Sequence, residues 1–135
     1  MLRHHLTGPR ARRLWLAVFV ALCAITLAVA LLPATRAPEG TGWDKLDHLL
    51  AFAALGAVGV LALAPSLRSA ALVLAVLVVL GAGIEWLQSF VPSRQADFGD
   101  FVADMLGALT GTLLAWLVAR KGEPQAAGNG PAQPD

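Results

Sequence analysis

The feature that most constrains this chain is the run from Leu14 to Leu32, 19 residues without a charged side chain. As a helix it measures about 28 Å, enough to cross the hydrocarbon core of a bilayer. Three more apolar stretches follow, at about 46–64, 70–90 and 99–119, and Pro33, Pro65 and Pro92 punctuate the breaks between them, as residues that stop a helix. Backbone in lipid must satisfy its own hydrogen bonds. The expected fold is therefore all-α: a polytopic membrane protein, one four-transmembrane-helix bundle over residues 1–121. Hydrophobic residues make up 57% of the chain and charged residues 14%, against ~25% charged in a soluble domain. Lipid is thus the first expected partner.

A signal peptide is the rival reading of the first run, since Arg10, Arg12 and Arg13 precede it. Its apolar core is too long, and Thr35-Arg36-Ala37 is a poor cleavage site, so a retained helix is expected. Residues 122–135, rich in Gly, Pro, Ala and Gln, read as a disordered cytoplasmic tail. Cys23 is the only cysteine, which excludes an intrachain disulfide and thiolate metal clusters. No basic block is present to recommend nucleic acid as a partner.

Orientation follows from lysine and arginine in the loops. Arg3, Arg10, Arg12, Arg13, Arg68, Arg120 and Lys121 fall on one side, and only Arg36, Lys45 and Arg94 on the other. Both termini are therefore expected in the cytoplasm. Trp15 and Trp116 then lie near the inner interface and Trp43 and Trp86 near the outer one, as an aromatic belt.

Seven of the nine acidic residues collect at the outer face: Glu39, Asp44, Asp47, Glu85, Asp97, Asp100 and Asp104. Acidic residues contribute little to orientation, so topology alone does not require this gathering. On a helix, Asp97, Asp100, Asp104, Gly107 and Gly111 share one face. The carboxylates sit above a small-residue seam at Gly107 and Gly111, where a second helix can approach closely. Gly81, Glu85 and Gln88 share a face of the third span; Asp44, His48, Ala51, Leu55 and Gly59 share one of the second. Three polar heads pointed at one pocket is the simplest assembly. Capping and helix-dipole duty offer a plain alternative for Asp44, Asp47 and Asp97. Glu85, near the C-terminal end of its helix, and Asp104, a turn deeper than Asp100, are harder to explain that way. A charge there survives by pairing or by working, and pairing with Arg94 or Lys45 is the plain option.

At these positions the chain resembles the VanZ-like family of small bacterial membrane proteins. The first match is Asp44-Lys45-Leu46-Asp47-His48 followed by Phe52. The second is Glu85-Trp86-Leu87-Gln88, then Phe90, Pro92, Arg94, Asp97 and Asp100, ending at Gly107 and Gly111. One departure is Asp104, where asparagine is commoner in the family. The family is named after an accessory factor in resistance to the glycopeptide teicoplanin. The resemblance implies a cell-envelope role and a common site at these polar residues, and it brings no settled catalytic mechanism.

The ligand-binding candidates are thus Asp44, Lys45, His48, Glu85, Gln88, Arg94, Asp97, Asp100 and Asp104, with Gly107 and Gly111 for helix packing. The leading expectation is an outer-face pocket for a polar ligand, an envelope-lipid headgroup or a divalent cation. Carboxylates with one imidazole suit Mg²⁺, Ca²⁺ or Mn²⁺, and Asp100, Asp104, Glu85 and His48 are the metal candidates. One alternative is an intramembrane enzyme on a lipid-linked phosphate, with His48 and Glu85 as acid and base and Arg94 and Lys45 on phosphate. Another is a scaffold whose polar cluster only locks helices together. The Gly107–Gly111 seam is expected inside the bundle; the residues leave oligomeric state and catalysis open.

Overall fold

The computed structural model describes residues 8–38, 40–63 and 65–120. Arg3, Glu39, Lys121, Glu123, Asp135 and the tail from Gly122 lie outside the described residues. Four helices account for most of the rest: α1 (Pro9–Ala30), α2 (Asp44–Ala62), α3 (Leu67–Gln88) and α4 (Phe98–Arg120). All four are long and apolar enough to cross a membrane, and no strand occurs among the described residues. The fold is the all-α membrane bundle that the apolar runs imply.

Helix ends differ from the limits of the apolar runs because caps set the former and hydropathy the latter. Pro9 opens α1 five residues ahead of Leu14; at the first helical position its missing N–H is no loss and its φ is already helical. Ser66 starts α3 three residues before Ala70, its hydroxyl accepting from the Ser69 N–H at 3.1 Å. Asp97 starts α4, with Oδ1 accepting from the Gly99 N–H at 2.7 Å. Asp44 caps nothing: it lies inside the first turn of α2, beside the positive end of the helix dipole. Asp47 instead accepts from the Thr41 N–H at 2.9 Å and so ties the α1–α2 loop to α2.

Short loops alternate the helix directions, so α2 and α4 run parallel although α3 separates them in sequence. They form the closest pair in the molecule. A Cβ at Gly107 would fall on the Leu49 carbonyl, and one at Gly111 on that of Ala53. Gly56 makes the reciprocal approach, with the Ala108 carbonyl 2.6 Å from where its Cβ would be. Lipid supplies no hydrophobic drive for helices to associate, so such backbone-to-backbone packing carries the burden. The glycine seam is therefore internal to the bundle. Phe52, Leu55, Leu77, Ile84, Val60 and Val73 fill the core, with Phe19 of α1 against it. Large apolar side chains such as Leu14, Leu72, Val79, Leu113 and Val118 face outward, which suits hydrocarbon contact.

Candidate functional site

Lys45 and His48 stand one turn apart on α2, facing α4. Opposite them Asp97, Asp100 and Asp104 descend α4 at the helical repeat, so the two helices zip together rung by rung. The Lys45 ammonium reaches Asp97 Oδ2 at 2.5 Å and Asp100 Oδ1 at 2.9 Å. One turn deeper His48 Nδ1 meets Asp104 Oδ1 at 2.9 Å. Below that the glycine contacts begin. The seam brings the helices close, and that closeness lets short aspartates span the gap.

Glu85 joins from α3. Its Oε2 accepts from the Asp97 N–H at 2.8 Å, tying the end of α3 to the start of α4. Its Oε1 is buried without a hydrogen-bond partner. So is Asp104 Oδ2, on a side chain 0% exposed. That oxygen faces α3, 3.2 Å from where a Cβ at Gly81 would be, one helical turn below Glu85. Ligand-capable atoms of His48, Glu85 and Asp104 all lie within 4.8 Å of one another, and a second such group is Asp44, His48 and Asp100. At the mouth, the Lys45 ammonium and then the Gly99 N–H hold the Asp97 carboxyl below the usual carboxylate range.

Gln88 and Arg94 turn elsewhere. Gln88 Nε2 donates to the Ala30 carbonyl at 3.0 Å, and Arg94 Nε to that of Leu32 at 3.0 Å. These are carbonyls at the end of α1, which lack partners within their own helix, so the two side chains staple α1 to the end of α3. Ser93 adds a third staple, its Oγ accepting from the Ala34 N–H at 3.2 Å. Among the described residues Arg94 pairs with no carboxylate; the carboxylate pairing expected of it falls to Lys45 alone.

Between α1, the α1–α2 loop, α2 and α3 lies a cavity of about 380 Å³. Asp44, Asp47, His48, Gln88 and Arg94 line its polar part; Ile25, Val29, Phe52 and Ile84 line its apolar part. The end of the bundle where α2 and α4 begin thus holds two compartments where the sequence pattern suggests one. Arg94, Gln88 and Asp44 border the cavity, Glu85, Asp97, Asp100, Asp104 and Lys45 form the interhelical cluster, and His48 belongs to both.

The family model described as VanZ/LLP1 matches residues 11–119. The chain belongs to the VanZ/LLP1 family. No curated protein and no solved structure matches it. The motif residues of this VanZ/LLP1 protein, from Asp44 to His48 and from Glu85 to Asp104, all sit at the end of the bundle where α2 and α4 begin. The helix-stapling role of Ser93 and the loop-anchoring role of Asp47 were not legible beforehand. Ser93 has φ +69°, in the left-handed region, and the neighbouring Pro92 was the one hint of an unusual turn there. Asp47 carried no sign that its partner would be a loop amide.

Proposed function

We propose that this VanZ/LLP1 protein resides in the bacterial cytoplasmic membrane with both termini inside, and that its outer-face cavity binds the anionic headgroup of an envelope amphiphile. The observation that carries this reading is the two-part lining. Arg94 and His48 offer donors beside Gln88, while Ile25, Val29, Phe52 and Ile84 offer an apolar wall between α1 and α3. A phosphate at Arg94 with an alkyl chain along those residues uses both parts, Asp47 being occupied by the Thr41 N–H and Asp44 exposed to solvent. Arg94 binds the Leu32 carbonyl through Nε, which leaves its two terminal nitrogens for bidentate contact with an anion. The volume of about 380 Å³ suits a headgroup and the first carbons of a chain, near the lower end of the range for small-molecule sites. The orientation is supported by the asymmetry of lysine and arginine between the two faces.

The test is binding of a short-chain alkyl phosphate to the purified protein in a neutral detergent, with an alkyl glycoside of equal chain length as comparison. Preference for the phosphate, lowered about tenfold or more by Arg94→Ala, is expected, since a charge-assisted hydrogen bond contributes roughly 1.5–3 kcal/mol. Equal affinity for the two amphiphiles, or an Arg94→Ala variant that binds phosphate as before, refutes the reading. Reporter fusions at either terminus check the orientation.

A further inference from the structure

We infer that His48, Glu85 and Asp104 form a site for one first-row divalent cation, held between α2, α3 and α4 beside the headgroup cavity and sharing only His48 with it. Two carboxylates and one imidazole place ligand atoms within 4.8 Å of one another, a spacing that a central ion of about 2.0–2.2 Å bond length can bridge after small side-chain movements. Independent of that proximity, Asp104 is 0% exposed and its Oδ2 has no partner, and Glu85 Oε1 is buried and unpartnered as well. An orphaned carboxylate oxygen in the interior is costly, and here the two residues that carry one each are grouped with the same imidazole.

The charge distribution tells the same story. Lys45 is occupied by Asp97 and Asp100, and Arg94 is held by the Leu32 carbonyl. Among the described residues no lysine or arginine therefore neutralises Glu85 and Asp104, and the His48 imidazole is hydrogen-bonded to Asp104. A divalent ion supplies the missing positive charge and the missing partners together. Binding needs a free imidazole nitrogen and ionised carboxylates, so protons are released to solvent on entry. Three protein ligands leave further coordination positions for water. The mixed nitrogen and oxygen set favours Mn²⁺ or Zn²⁺ over Ca²⁺, which takes oxygen ligands in greater number, and over Mg²⁺, which sheds its water reluctantly. The alternative group of Asp44, His48 and Asp100 is poorer, because Asp100 is already paired with Lys45 and Asp44 is exposed.

The experiment uses the full chain in detergent, stripped with chelator and titrated with Mn²⁺ under electron paramagnetic resonance, with Zn²⁺ as competitor. One Mn²⁺ per chain is expected, with nitrogen coupling that disappears in His48→Ala. Glu85→Gln and Asp104→Asn should each weaken binding at least tenfold, and Asp44→Asn should leave it unchanged. If Asp104→Asn fails to fold, Glu85→Gln carries the comparison. Absence of Mn²⁺ and Zn²⁺ binding in the wild type overturns the inference, leaving a proton-bridged structural network. Loss of the ion in Asp44→Asn with Glu85→Gln intact overturns it as well.

Discussion

Gly111→Ala is the most direct perturbation of the α2–α4 contact on which the polar rungs depend. The added Cβ would stand 2.6 Å from the Ala53 carbonyl carbon and 2.8 Å from its Cα, and closer still to the carbonyl oxygen. Ordinary carbon–carbon contact is about 3.5–4.0 Å, so the helices would have to part by roughly 1 Å. All three obstructing atoms and the substituted position are backbone, which leaves no flexible side chain to yield. Overpacking of this kind costs about 1–3 kcal/mol. Against it stands the intrinsic gain of alanine over glycine in a helix, about 1 kcal/mol. Gly83→Ala isolates that gain, because a Cβ there meets nothing within 4 Å. Unfolding followed by circular dichroism during titration with a denaturing detergent gives the comparison. Gly83→Ala should match or exceed the wild type, and Gly111→Ala should fall below Gly83→Ala by about 1–3 kcal/mol. Equal stability of the two variants would refute the claim that backbone contact at Gly111 holds α2 against α4.

Three other outcomes follow from the same geometry. Lys45→Met removes both ion pairs of Lys45 and strands Asp100, whose side chain is 8% exposed; stability should drop, and adding Asp100→Asn should restore part of it in a double-mutant cycle. Gln88→Leu deletes the donor to the Ala30 carbonyl and should cost about 1–3 kcal/mol, read as faster hydrogen exchange confined to the C-terminal half of α1. The folded chain favours ionised Asp97 through Lys45 and the Gly99 N–H, so its carboxyl titrates below the ordinary value of about 3.8. The resulting stabilisation is present above that pH and disappears as pH falls through the lower, folded-state value. A stability profile over this acid range should be flatter in Asp97→Asn than in the wild type, and parallel profiles would contradict the assignment.

What was legible in the sequence was what depends on chain neighbours and solvent. The uncharged run at Leu14–Leu32 needs lipid and a helix whatever else the chain does, because unpaired peptide groups are not tolerated in hydrocarbon. The 3.6-residue period likewise put Asp100, Asp104, Gly107 and Gly111 on one face before any partner was known. Helix limits were less legible, since Ser66 and Asp97 act through hydrogen bonds that hydropathy does not register. Which side chain meets which was beyond the sequence altogether. Arg94 and Gln88 belong to the same motif as Glu85 and read as members of one pocket with it, yet they turn to the carbonyls at the end of α1. Lys45 and His48 are the side chains that reach the aspartates of α4. That partition is a three-dimensional matter: pairing depends on where α1 ends relative to α3 and on the register of α2 against α4. Leu49 and Ala53 set that register by meeting Gly107 and Gly111 across a gap of 58 positions in the chain. No local pattern encodes such a contact, and the close backbone approach that decides it exists only once the helices have packed.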